Sequence, residues 1–152
     1  MTPEQKLEEL GLKLPEVPAP VAAYVPAVRT GDLVYTSGQV PLVDGKLART
    51  GKLGADLTTE EGVEMARICA LNALAALRSE VGDLSKVVRI VKVVVFVASE
   101  PSFTDQPKVG NGASELFGQV LGEAGKHARS AVGVASLPLD APVEVELIAE
   151  VG

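Results

Sequence analysis

Two hydrophobic periods divide this chain into strands and helices. From residue 143 the run Val-Glu-Val-Glu-Leu alternates strictly, so on a strand Val143, Val145 and Leu147 face one way and Glu144 and Glu146 the other. The stretch from Arg129 to Glu146 reads as two strands joined by a short turn at Leu137-Pro138-Leu139-Asp140, with Arg129 opening the first. Such a hairpin would be apolar on one face and charged on the other. Upstream the period changes. Leu57-Thr58-Thr59-Glu60-Glu61 announces a helix running to about Val81, with an apolar stripe of Met65, Ile68, Cys69, Leu71, Leu74, Ala75 and Leu77. Between residues 87 and 97 the chain is β-branched almost throughout. That pattern predicts a central strand covered on both faces, or one hidden in a subunit interface. Residues 109–124 predict a second helix through Leu116, Phe117, Val120 and Leu121, and 101–107 a loop between two prolines.

The N-terminal third is punctuated by turn residues. Thr2, Pro3 and Gln5 form a capping box with a proline in the first turn, and Gly11 is a natural stop for the short helix they start. Prolines 15, 18, 20 and 26 predict an extended connector. Thr30-Gly31-Asp32 is a hairpin turn into residues 33–37, Gly38 ends that strand where a backbone amide can approach a ligand, and Asp44-Gly45 is a second tight turn. The predicted order is β-β-β-α-β-α-β-β. This is an α+β architecture with two helices on one face of a mixed sheet of about six strands. No helix remains for the other face, so self-association is the economical cover. The whole of 1–152 reads as one domain, with 1–20 a helical and Pro-rich extension and 21–152 the core.

Composition narrows the class. The 152 residues are 47% hydrophobic and 22% charged, which excludes a disordered chain. No apolar run approaches the roughly 20 residues of a spanning helix, and the acidic, helical N-terminus predicts no signal peptide. A net charge of −6 lacks the basic stripe that nucleic acid requires. One cysteine, Cys69, cannot form an internal disulfide and fits a reducing, cytoplasmic compartment. With one histidine, a structural zinc site has no support, and the expectation is no metal. Gly-rich phosphate loops and Gly-Xaa-Ser-Xaa-Gly are absent.

The polar candidates left are Arg129, Glu144, Glu146, Tyr24, Ser37 and Asn111, with His127 as a possible base. Arg129 heads a strand of small and apolar residues, and its planar fork suits bidentate grip of a carboxylate. Glu144, if desolvated by apolar surroundings, would hold its proton more tightly and suit general acid–base work. The rival reading is an Arg–Glu pair that fixes a subunit interface.

Several blocks in order carry a resemblance. They are Tyr24 with Thr36-Ser37-Gly38-Gln39-Val40-Pro41; Leu71-Asn72-Ala73-Leu74 with Gly82-Asp83-Leu84; 93–97 with Phe103, Val109 and Asn111; and Arg129-Ser130-Ala131-Val132 with Leu137-Pro138 and Val143-Glu144-Val145-Glu146. Over residues 20–151 the chain resembles the reactive-intermediate deaminase family, also called RidA/YjgF or endoribonuclease L-PSP. The resemblance implies a chorismate-mutase-like fold assembled as a homotrimer with three clefts between subunits. It also implies hydrolysis of reactive enamines or imines, such as 2-aminoacrylate, to 2-keto acids and ammonia, without cofactor. By motif position Arg129 would clamp the carboxylate of a small metabolite and Glu144 would activate water and shuttle a proton. Tyr24, Ser37 and Asn111 would line the cleft, the backbone of Gly38 and Ala131 would contact the carboxylate, and Glu146 would support.

Four departures mark a divergent subgroup. Ala131 stands where the family usually has cysteine, His127 where it usually has proline, and Ala22-Ala23 where it usually has Gly-Pro, while the Asn111–Arg129 link is one residue longer. Alternatives to the deaminase are a trimeric binder or regulator of small carboxylates or keto acids that performs no chemistry, and an endoribonuclease. The last is disfavoured by an acidic chain with two Tyr, three Phe and no Trp.

Overall fold

The computed structural model describes residues 1–17 and 23–152. Pro18 and Pro20 of the connector, and Ala22 of the Ala22-Ala23 pair, lie outside the described residues. In chain order the elements are α1 (Pro3–Glu9), β1 (Ala27–Thr30), β2 (Leu33–Thr36), β3 (Leu42–Val43), β4 (Lys46–Leu47), α2 (Thr59–Val81), β5 (Val87–Ala98), α3 (Gln106–Leu121), β6 (Ala128–Val134) and β7 (Val143–Val151).

The helix starts follow their capping chemistry. Thr2 and Gln5 exchange side-chain and backbone hydrogen bonds of 2.8 and 3.1 Å. Thr58 and Glu61 do the same at the head of the 23-residue α2. Gly82, at φ +85°, ends α2. Helix α1 is docked: Leu7 and Leu14 are buried, and the Glu4 carboxylate accepts a 2.7 Å bond from the Leu84 amide. Helix α3 starts three residues earlier than its apolar stripe predicts, because Pro107 is tolerated in the first turn. It ends at Leu121, and a 3₁₀ turn over Gly122–Gly125 completes the predicted span.

Five strands form one mixed sheet in the order β1-β2-β7-β5-β6, and β3 and β4 form a separate two-stranded ribbon around Asp44-Gly45. The sixth sheet strand is therefore absent: the ribbon's arms are two residues long and stay outside the sheet. The β-branched strand β5 is interior, bonded to β7 and β6, with β7 at the middle of the sheet. One further expectation is corrected: β5 is not covered on both faces. Its Ile90, Val93, Val95 and Val97 are buried beneath the helices, whereas Val94 and Phe96 on the other face are half-buried.

The predicted 129–146 hairpin does not form. β6 pairs in parallel with β5, Val93 against Arg129 and Val95 against Ala131, while β7 pairs antiparallel on the other side of β5, Phe96 against Glu144. The reason is the crossover: β5-α3-β6 is a βαβ unit whose helix returns the chain parallel to β5. The loop 135–142 then passes over the end of β5, where Ser99 N bonds Val134 O and Ala98 N bonds Pro142 O.

The core lies between α2, α3 and one sheet face, filled by Leu74, Leu77, Ile90, Leu116, Phe117 and Leu147, each about 2% exposed or less. Each such side chain contributes roughly 1.5–3 kcal/mol by burial. The two helices meet closely at Gly112, where an added Cβ would stand 2.1 Å from the Val63 carbonyl oxygen. The opposite sheet face has no helix. It presents Val28, 52% exposed, Tyr35, 44%, and Val132, 43%, beside Phe96 and Ile148.

Candidate functional site

Arg129 points from edge strand β6 toward α3. Its Nη1 donates to Asn111 Oδ1 at 2.9 Å and to Ser114 Oγ at 3.1 Å. Asn111 and Ser114 are three residues apart on α3, so they share one helix face and present both acceptors together. Gly110 leaves room for the guanidinium: a Cβ there would lie 3.2 Å from Nη1 and 3.5 Å from Ala131 Cβ. The N–H groups on Nε and Nη2 have no partner among the described residues. A guanidinium tied at one nitrogen is left with a two-donor edge of the spacing a carboxylate accepts. Ser114 is absent from the sequence-based candidates. Its signal was the i, i+3 relation to Asn111, which becomes readable only with the helix register in hand.

His127 closes this corner. Its Nδ1 lies 2.6 Å from the Gly125 carbonyl, its Nε2 lies 2.9 Å from Ser114 Oγ, and its ring meets Phe117 edge-on at 5.8 Å. Asn111, Ser114, Lys126, His127 and Arg129 line a shallow cavity of about 360 Å³ whose other walls are glycine. None of its lining residues is a carboxylate.

Glu144 lies elsewhere. Register places it and Glu146 on the helix-free face with Val94 and Phe96, whereas Arg129 and Ala131 share the helix face with Val93 and Val95. Strand β5 separates the two, so their strands are about 10 Å apart as well as facing oppositely. Among the described residues neither glutamate pairs with Arg129. The expected Arg–carboxylate neighbours on a single hairpin are thus corrected.

The Glu144 carboxylate instead rests on Gly38, where an added Cβ would come within 2.6 Å of Oε2. Gly38 thus makes room for a side chain of its own protein. Partial burial, and secondarily the like charge of Glu146 two residues along, push the Glu144 carboxyl above the ordinary glutamate range. Its platform is well fixed. Gln39 and Val145 exchange backbone bonds of 2.8 and 2.9 Å, and the buried Asn72 gives both amide protons to the carbonyls of Val40 and Leu42. The Ser37 hydroxyl donates to Val25 O at 2.6 Å, leaving its lone pairs toward solvent. Tyr24 is 66% exposed beside this strand end. Two groups emerge: Arg129, Asn111, Ser114, His127 and Ala131 at one sheet edge, and Tyr24, Ser37, Gly38, Glu144 and Glu146 toward the other.

Cys69 belongs to neither. It is fully buried in α2, its Sγ lies 3.5 Å from Val143 O, and burial above all, then the Glu144 charge, pushes its thiol well up. It is an inert core residue. No helix among the described residues is long and apolar enough to cross a membrane.

Comparison with known proteins defines the class. The family model described as "YjgF/chorismate_mutase-like, putative endoribonuclease" matches residues 4–151, and the chain belongs to this family. Its α+β fold, a mixed sheet with helices, is the family's fold. "Protein TCP17" of Trypanosoma cruzi is 50% identical over 145 residues, 95% of this chain and 91% of that protein. A "2-iminobutanoate/2-iminopropanoate deaminase" of Escherichia coli K12 is 34% identical over 132 residues, 87% of this chain and 90% of that one. Among solved structures, the Agrobacterium tumefaciens protein Atu1372, of unknown function, superposes with a TM-score of 0.93 at 47% identity, covering 99% of this chain and 92% of that one. E. coli TdcF with bound serine does so at 0.66 and 25%, covering 90% and 94%.

Proposed function

We propose that the protein hydrolyses small enamines or imines bearing a carboxylate, of the 2-aminoacrylate type, to 2-keto acids and ammonia. The observation that carries this reading is the two-donor edge left open on Arg129. A carboxylate fits it, and a relative has been crystallised with a bound amino acid. Relatives about one third identical are named imine deaminases.

Once protonated on nitrogen, an imine carbon is electrophilic, and no metal or organic cofactor is needed. A carboxylate that holds its proton unusually firmly is a stronger base toward water than an ordinary glutamate. Glu144 would take a proton from water as its oxygen adds to that carbon, giving a tetrahedral aminoalcohol. Returning the proton to nitrogen lets the C–N bond break, releasing ammonia as the hydroxyl gives its own proton to Glu144 and the C=O bond forms. Enamine substrates enter by protonation at carbon.

This chemistry needs Arg129 and Glu144 together, and one chain holds them on opposite faces. A homotrimer supplies the remedy, since the Arg129 edge of one copy can meet the helix-free face that carries Glu144 in the next. The uncovered apolar face, with Val28, Tyr35 and Val132 exposed, favours self-association. Light scattering should report three chains per particle, and a stable monomer would dismiss the shared site.

The decisive assay supplies freshly generated 2-aminoacrylate and follows keto-acid release against the uncatalysed rate. Wild type should exceed buffer, and Arg129→Ala should match it. Equal rates for wild type and buffer would sink the reading. A second reading, binding of keto acids without turnover, draws on Ala131 in the position usually held by cysteine. A melting temperature raised by keto acid with no catalysis would select it.

A further inference from the structure

Arg129 is held by a side chain that is itself held. The Gly125 carbonyl can only accept, so the ring nitrogen 2.6 Å away, His127 Nδ1, carries the proton. In the neutral ring Nε2 is then a bare acceptor, and the Ser114 hydroxyl 2.9 Å away donates to it. With its only proton committed, Ser114 Oγ turns lone pairs toward Arg129 Nη1 at 3.1 Å. Each link fixes the direction of the next. The alternative, a Ser114 hydroxyl free to rotate, would present its proton to the guanidinium for part of the time and push it away. Phe117 packs edge-on against the ring.

We propose that Ser114 and His127 are positioning residues for the Arg129 clamp. Through a one-way chain of hydrogen bonds from Gly125, they aim its Nε/Nη2 edge at the carboxylate of a 2-keto or 2-imino acid. This rests on the reading of Arg129 as the carboxylate holder. It also gives a use to two features that reading leaves idle: the histidine in place of the family's usual proline, and the serine one turn from Asn111 on the same face of α3.

The test separates the two claims. The chain has one histidine, so long-range proton–nitrogen NMR yields a single unambiguous ring pattern. At slightly alkaline pH the ring of the wild type and of Ser114→Thr should carry its proton on Nδ1, the less common form of a free histidine side chain. Pyruvate titration of the same samples should give equal affinities for wild type and Ser114→Thr. Ser114→Ala should bind roughly tenfold more weakly, the effect of one hydrogen bond to a charged group, with no fall in melting temperature. His127→Phe, which keeps the packing against Phe117 but lacks an acceptor, should match Ser114→Ala. A proton found on Nε2, or unchanged pyruvate affinity in Ser114→Ala while Arg129→Ala has lost binding, would overturn the positioning role and leave the clamp standing. Wild type that takes up no pyruvate would remove the clamp and the positioning role together.

Discussion

The Arg129 corner and the Glu144 corner solve opposite electrostatic problems. Arg129 is a permanent cation tethered through one nitrogen to Asn111 and Ser114, with its remaining donors unpartnered among the described residues. Glu144 rests on Gly38 with no cationic partner among the described residues, and its partial burial, then its like-charged neighbour Glu146, raise its proton affinity. The first arrangement suits holding an anion in a fixed direction. The second suits moving a proton. Within one chain they lie on opposite faces, so they form no direct ion pair there, as a hairpin would have allowed.

The largest effect should come from removing the holder. Arg129→Ala forfeits two charge-assisted bonds, about 1.5–3 kcal/mol each, so kcat/KM should fall about 10²–10⁴-fold with most of the loss visible as weaker keto-acid binding. Arg129→Lys should recover little of it, since an ammonium cannot satisfy Asn111, Ser114 and both carboxylate oxygens. Glu144→Gln should lower kcat by about 10²–10³ while keto-acid affinity stays near that of the wild type. That split in steady-state kinetics and calorimetry is what the contrast demands, and equal losses of both parameters would erase it.

A smaller effect is expected at Gly38. An added methyl meets only the movable end of Glu144, so Gly38→Ala should leave the melting temperature nearly unchanged yet cut turnover roughly ten- to hundredfold by displacing the carboxylate.

The smallest concerns stability. Because folding raises the proton affinity of Glu144, its contribution is fully present in acid and is lost as pH rises through its raised value. Glu144→Gln should therefore melt slightly higher than wild type at neutral pH, with the difference vanishing once pH falls below the ordinary glutamate range. If Glu144 is the base, the acid limb of the wild-type rate profile should lie above that range and be missing from the variant.

Legibility differed between these two corners for a physical reason. At the Glu144 corner each residue is marked by its own local pattern, although Gly38 and Glu144 come together from distant parts of the chain. The alternation of 143–147 shows which residues share a face, and Gly38 is the residue one expects where something must approach the backbone. Helix α2, with its Thr58–Glu61 box and Gly82 stop, was legible for the same reason: its signals lie within one or two turns. The Arg129 corner joins residues up to 18 apart on a helix, a 3₁₀ turn and a strand, and it escaped in part. The sequence marks Asn111 and Arg129, marks His127 as a possible base rather than a positioning residue, and does not mark Ser114.

The sequence by itself determined the local pieces: the caps, the strand alternation, the helix stripes and the residue types able to grip and protonate a carboxylate. Each of these depends on side chains within a few positions of one another. Only the tertiary structure decided that β5 enters between β6 and β7, and so which charges meet. That choice is made by the α3 crossover, which must return its strand parallel to β5 to bury its apolar stripe. No local pattern in 129–146 records where that helix packs.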